Sequence, residues 1–129
     1  MENNQTAESN IVESVTETPQ PVPATMQDFI QKRFINKYVV VRTTNAGVFF
    51  GLLKVYENRC AVVEEARRIW RWVGAASLSQ LAMEGVKSPD ECKIPREVDY
   101  VMLEEVIEVI PLREDAKINL YEVPEWKAE

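Results

Sequence analysis

Between Arg67 and Trp72 the chain reads RRIWRW, with three arginines and two tryptophans in six residues. Guanidinium groups beside indole rings suit flat, negatively charged partners, because the rings stack and the cations meet phosphate or carboxylate oxygens. In an extended segment alternate side chains face opposite ways, so Arg68, Trp70 and Trp72 share one face and Arg67, Ile69 and Arg71 the other. Gly74-Ala75-Ala76 then keeps the backbone uncrowded before a helix start at Ser77, where free N–H groups favour an anion. The candidate ligand-binding residues are therefore Arg67, Arg68, Trp70, Arg71, Trp72, Gly74 and Ser77, and the ligand expected there is small, anionic and nucleotide-like. The same residues also fit a structural role. The tryptophans would then bury in the core or in a subunit interface, the arginines would pair with Glu64, Glu65 or the glutamates of residues 104–108, and Ser77 would only cap its helix. No phosphate-loop or dinucleotide fingerprint accompanies the segment.

The chain has no histidine, which removes Ser-His and Cys-His nucleophile pairs, histidine general bases and histidine metal sites. Its two cysteines, Cys60 and Cys92, lack the paired spacing of a zinc site, so neither metal nor cofactor is expected. Glu64, Glu65, Glu104, Glu105 and Glu108 read as solvated strand faces, with no sign of two carboxylates converging across a cleft. An enzyme built from this chain would rely on carboxylates, lysines, Tyr38, Tyr100 or the thiols, none with a recognisable partner. The expected mode of action is binding without catalysis.

These residues need elements to position them. "MQDFIQKRFINK" places Phe29, Ile30, Phe34 and Ile35 at helical spacing, which predicts a short amphipathic helix or a turn leading into the domain. "KYVVVRTT", "GVFFGLLKVYE" and "RCAVVEEA" are β-branched or aromatic runs separated by turn signals at Asn45-Ala46-Gly47 and Glu57-Asn58, which predicts an antiparallel three-strand meander. Cys60 falls inside this apolar pattern and is expected in the core. In the first strand Val39, Val41 and Thr43 share one face, and Tyr38, Val40 and Arg42 the other. Gly51 interrupts the second strand, so the sheet is expected to curve there.

"SLSQLAMEG" predicts a helix with Ser77 as N-cap, Gln80 as its capping-box partner and Gly85 beyond its end. "VKSPDECKIPRE" reads as a loop. "VDYVMLEEVIEVIPL" reads as a long strand or strand pair, with Val101, Leu103, Ile107 and Val109 on one face and a break at Glu105. One or two helical turns are expected before Pro124, with Trp126 as an anchor. The fold class expected is α+β: a small antiparallel, twisted sheet or partly open barrel of about five strands with one or two short helices.

Residues 1–25 hold four glutamates, three prolines, no Lys or Arg and no aromatic residue, the composition of a disordered acidic arm. Residues 26–129 are expected to form one domain. Net charge is -6 overall, and without the arm the chain is near balance, so duplex nucleic acid is an unlikely partner. No apolar run reaches the roughly 18–20 residues of a membrane span, and the N-terminus lacks a signal-peptide pattern, so no membrane association and a cytoplasmic location with free thiols are expected.

Four stretches, "VRTTNAGVFFGLL", "EARRIWRWVGAASLSQLAMEGV", "ECKIPREVDYVMLEEVIEVIP" and "VPEW", together resemble a family of small, functionally uncharacterised proteins of tailed bacteriophages and prophages. The resemblance covers about residues 38–126 and is most specific from Arg67 to Leu81. It implies a phage or prophage origin and hence the host bacterial cytoplasm, and it brings no activity or catalytic residue with it. Two roles are expected on this basis. One is an accessory protein that binds a host factor or a small anionic ligand; the other is a structural or assembly protein of the particle. The apolar strand edges and tryptophans on so small a domain point to a homo-oligomer in either case.

Overall fold

A computed structural model describes residues 25–128 of the chain; apart from Thr25, the acidic arm inferred from composition lies outside the described residues. Helix α1, Met26–Arg33, starts where the Thr25 side chain accepts from the Asp28 N–H at 3.0 Å, and its last turn carries Lys32 and Arg33, which suit the carbonyl end of the helix dipole. The meander follows as β1, Tyr38–Thr43, β2, Val48–Glu57, and β3, Cys60–Ile69. Helix α2, Leu78–Glu84, a 3-10 turn at Pro89–Glu91, strands β4, Val98–Leu103, and β5, Val106–Pro111, and helix α3, Glu114–Tyr121, complete the order.

All five strands form one antiparallel sheet in the order β4-β3-β2-β1-β5, which is not closed. The class is thus α+β with about five strands, and the helices are three rather than one or two. The helical turns expected before Pro124 form α3, whose Asn119 side chain both accepts from the Val86 N–H at 2.7 Å and donates to the Val86 carbonyl at 3.0 Å. Those bonds hold α3 against the end of α2.

The sheet has apolar cover on both faces. Val40, Phe50 and Ile69 pack beneath α2, α3 and Ile94 on one side. Val39, Val41, Phe49, Leu53, Val63, Leu103 and Val106 form the other layer. Three successive valines of β1, Val39 to Val41, are therefore fully buried, as expected for a strand covered on both sides.

Curvature enters at Gly51. A Cβ there would lie 2.5 Å from the Val63 side chain and 2.6 Å from the Glu64 carbonyl oxygen, and the β2–β3 register shifts between Phe50 and Leu52. On β3 the extra residue sits beside Glu65, whose φ is 51°. Tyr121 donates to the Glu65 carbonyl at 2.6 Å and Tyr38 to its carboxylate at 2.9 Å, so two phenols pin the bulge. Burial, then the nearby Glu65, raises the pKa of both tyrosines.

The long C-terminal strand divides. β4 pairs with β3 at one edge and β5 with β1 at the other, although only Glu104 and Glu105 join them. Three peptide steps from Leu103 to Val106 span at most about 11 Å. The end of β4 must therefore lie beside the start of β5, and the sheet bends over itself. The Val106 N–H reaching the Arg59 carbonyl at 2.9 Å closes this corner.

Three local expectations are corrected. Val106 takes the core place expected for Ile107, which is exposed, because the β1–β5 register shifts between Arg42 and Thr43. Cys60 begins β3 beside the Asn58-Arg59 turn and is only half-buried; Cys92 is the buried thiol. Trp126 stays 40% exposed and ties the tail down through its backbone N–H, which donates to the Ile94 carbonyl at 3.1 Å. No helix among the described residues is long and apolar enough to cross a membrane.

Candidate functional site

The alternation expected of RRIWRW holds while β3 lasts: Arg67 and Ile69 are buried, and Arg68 is exposed. Arg67 faces the layer under α3, directly beside Phe50 in the register. Only 4% exposed, its guanidinium donates to the carbonyls of Pro95 at 3.0 Å, Ile94 at 2.7 Å, Val123 at 2.9 Å and Leu120 at 3.4 Å. Burial lowers its pKa, yet a guanidinium stays protonated at any physiological pH. Arg67 is thus a clamp between β3, the 94–95 segment and the end of α3. Buried and committed to backbone carbonyls, it takes a structural place instead of the ligand contact expected of it, and among the described residues it pairs with no glutamate.

Arg68 points the other way. It lies beside Phe49 in the register, with its Cζ 4.6 Å from the ring centroid, and Nη1 donates to the Ala46 carbonyl at 3.2 Å. The ring and the β1–β2 turn hold the guanidinium, and Arg68 stays exposed to solvent. β3 ends at Ile69; Trp70 is a bend, and the Trp70 and Arg71 N–H groups both reach the Lys93 carbonyl, so two residues face one and the alternation breaks there. Trp70 is left 64% exposed. Trp72 is half-buried against the core, its indole N–H donating to the Ala75 carbonyl at 3.2 Å.

Arg68, Ile69, Trp70 and Trp72 line one side of a groove of about 370 Å³, and the turn from Asn45 to Val48 lines the other. Arg71 is exposed but outside it. Gly74 and Ser77 also lie elsewhere, each with a structural task. A Cβ on Gly74, whose φ is 97°, would meet the Lys87 backbone nitrogen at 2.5 Å, so the glycine admits a close backbone approach. Ser77 Oγ accepts from the Gln80 N–H at 3.1 Å, and Gln80 Oε1 accepts from the Ala76 N–H at 2.8 Å. The first turn of α2 spends these donors on its own cap. Of the seven candidates the fold gathers three, Arg68, Trp70 and Trp72, around one groove.

Sequence spacing missed the opposite wall. The Asn45–Val48 turn belongs to the groove only because β2 pairs with β3, which also sets the buried Phe49 beside Arg68. The signal was the hairpin itself, whose register depends on the bulge near Gly51.

Residues 36–120 match the model of a family described as "Domain of unknown function (DUF6948)". The chain belongs to this family. No curated protein matches its sequence. The DUF6948 match runs from just before β1 to Leu120 near the end of α3, so it takes in the whole bent sheet, both walls of the groove and Arg67 with all of its carbonyl partners except Val123. It leaves out α1 and the Trp126 tail.

Proposed function

We propose that this chain is a non-enzymatic accessory protein of phage or prophage origin, acting in the host bacterial cytoplasm by binding a small, flat, anionic ligand of nucleotide type in the Arg68–Trp70–Trp72 groove. The phage origin draws its support from the resemblance of residues 38–126. The observation that carries the binding role is the pairing of an exposed guanidinium held over Phe49 with a tryptophan left 64% exposed at the same groove. Exposing an indole forgoes much of its burial energy. At about 370 Å³ the groove is within the size range of small-molecule sites. A flat ring stacks on Trp70 while its anionic group meets Arg68. Arg71, exposed just outside, adds attraction on approach.

The test is native mass spectrometry of the protein purified from its bacterial host, followed by titration of tryptophan fluorescence with nucleotides. Retained mass in the nucleotide range, lost in Arg68→Ala and Trp70→Ala while the fold survives, supports the role. A chain without added mass, unquenched by any nucleotide, overturns the small-ligand form and turns attention to a host protein at the same groove. Trp70's exposure also favours a second reading, in which the chain is a structural or assembly protein of the particle and Trp70 lies in a subunit contact. Absence of the protein from purified virions counts against that reading.

A further inference from the structure

The basic and aromatic side chains do not stop at the Arg68 groove. Trp70 and Arg71 together oppose Lys93, whose carbonyl accepts from both N–H groups. This bulge shifts the alternation by one, so that Ile69 and Trp72 both pack into the layer under α2 and α3. Trp70 and Arg71, lying between them, both turn away from that layer, to the side taken by Arg68. The 92–94 segment repeats the pattern: Cys92 and Ile94 belong to the buried layer, and Lys93 between them points out. Ile94 pairs in parallel with Glu125, and Lys93 Nζ lies 5.3 Å from the Trp126 ring centroid, which sets that ring on the outer side as well.

Residues 70–71, 93–94 and 125–126 therefore lie side by side as three short extended segments. At the usual strand spacing the backbones that carry the two indoles are about 10 Å apart. Trp70 is 64% and Trp126 40% exposed, with Arg71 beside the first and Lys93 between them. Among the described residues none of Arg68, Arg71 and Lys93 forms an ion pair, and Arg96 and Lys127 add two exposed cations nearby in the chain. The carboxylates are mostly turned elsewhere. Glu125 shares the side of the buried Ile94, and both it and Glu97 favour the charge of the buried Arg67. Glu105 accepts from the Asn45 amide at 3.2 Å, and Asp99 stands farther along β4, level with Glu65. Asp90 and Glu91, in the 3-10 turn before Cys92, are the acids left beside the strip.

We propose that the nucleotide held in the groove is one unit of a single-stranded nucleic acid, which runs on from Arg68 across the Trp70–Arg71 bulge to Lys93 and Trp126. Successive bases stack on the two indoles, and the phosphates between them meet Arg71 and Lys93. A polynucleotide repeats a flat ring and an anion in the order in which the strip repeats indole and cation. An acidic peptide would use the cations and leave both indoles without a role.

The proposal rests on the groove being a nucleotide site, and the test separates the two. Anisotropy of labelled single-stranded oligo(dT) and oligo(U) of about ten residues is measured with the full chain, beside quenching of tryptophan fluorescence by thymidine and uridine monophosphates. The expected affinity for at least one oligonucleotide is about tenfold or more above that for its monophosphate, and the tighter of the two tells DNA from RNA. Contacts at Arg68, Arg71 and Lys93 predict a slope of about -2 in log affinity against log salt. Lys93→Gln and Trp126→Leu should each lower oligonucleotide affinity about fivefold or more and leave monophosphate binding unchanged, whereas Arg68→Ala lowers both. Circular dichroism verifies each fold, and Lys93→Gln, which keeps the backbone bonds of the bulge, decides the matter if Trp126→Leu loosens the tail. Monophosphate binding that depends on Arg68, with no gain from the longer strand, overturns the proposal and leaves the groove reading standing; no binding of either overturns both. Oligonucleotide binding unmoved by Lys93→Gln and Trp126→Leu also overturns it. So does equal binding of a duplex of the same length, or displacement by polyglutamate at equal charge, which would make the strip a plain cationic patch for an acidic protein.

Discussion

Arg67 and Arg68 are adjacent and chemically identical, and the fold gives them opposite work. Period-two alternation placed them on different faces from sequence alone, but which face is covered depends on α3, nearly fifty residues away. Substituting Arg67 by Met leaves the carbonyls of Pro95 and Val123 without the guanidinium donor and Ile94 with only the Trp126 N–H; a loss of about 3 kcal/mol or more in chemical denaturation is expected. Arg68→Ala forfeits one exposed cation-π contact and one exposed hydrogen bond, and should cost about 1 kcal/mol or less. Equal losses in the two variants would contradict the assignment of clamp and groove. The tyrosines at the Glu65 bulge carry a pH signature. Their pKa values are raised by folding, so their contribution is complete below the unfolded value near 10 and declines as pH rises above it, where the unfolded chain releases phenolic protons first. Thermal midpoints should therefore fall with alkaline pH above 10, and less steeply in Tyr121→Phe. That variant should also lose about 1 kcal/mol at neutral pH, for the hydrogen bond to Glu65.

Local chemistry announced most of the elements. The Ser77 cap, the meander and its two turn signals are visible in residue types, because each depends on neighbours within a few positions. What remained hidden was long-range register. A bulge changes which residues face inward, and neither the Ile107 extra residue in β5 nor the division of the C-terminal strand alters local composition. Gly51 is the exception, a strand glycine whose isolation correctly marked the bend. Its need is steric, so Gly51→Ala, forcing a methyl against Val63 and the Glu64 carbonyl, should cost about 1–3 kcal/mol in the same denaturation assay. Gly47→Ala meets no neighbour within 4 Å, and its penalty should come from φ of 95° alone.

At the scale of the whole molecule, the resemblance expected from four short stretches coincides in most of its length with the DUF6948 match, which attaches no activity. The groove was legible as residue types and not as a shape: three candidates converge, and four are either outside it or committed to structure. The order β4-β3-β2-β1-β5 puts the last strand made beside the first. A chain stopped after Glu104 keeps the meander and β4 but lacks β5, the second partner of β1. Such a truncation should be insoluble or unfolded by circular dichroism; a cooperative thermal transition would show that the meander suffices.

The Thr43–Val106 pairing also has a consequence in time. On the ribosome β1 emerges some sixty residues before β5, an interval of about 3–12 s at bacterial to eukaryotic rates of synthesis. Throughout it three consecutive valines stand at an open edge, in a chain whose closing contact has a long loop to overcome. Yield in a cell should therefore depend on how quickly the second half is translated, more than on the stability of the finished domain.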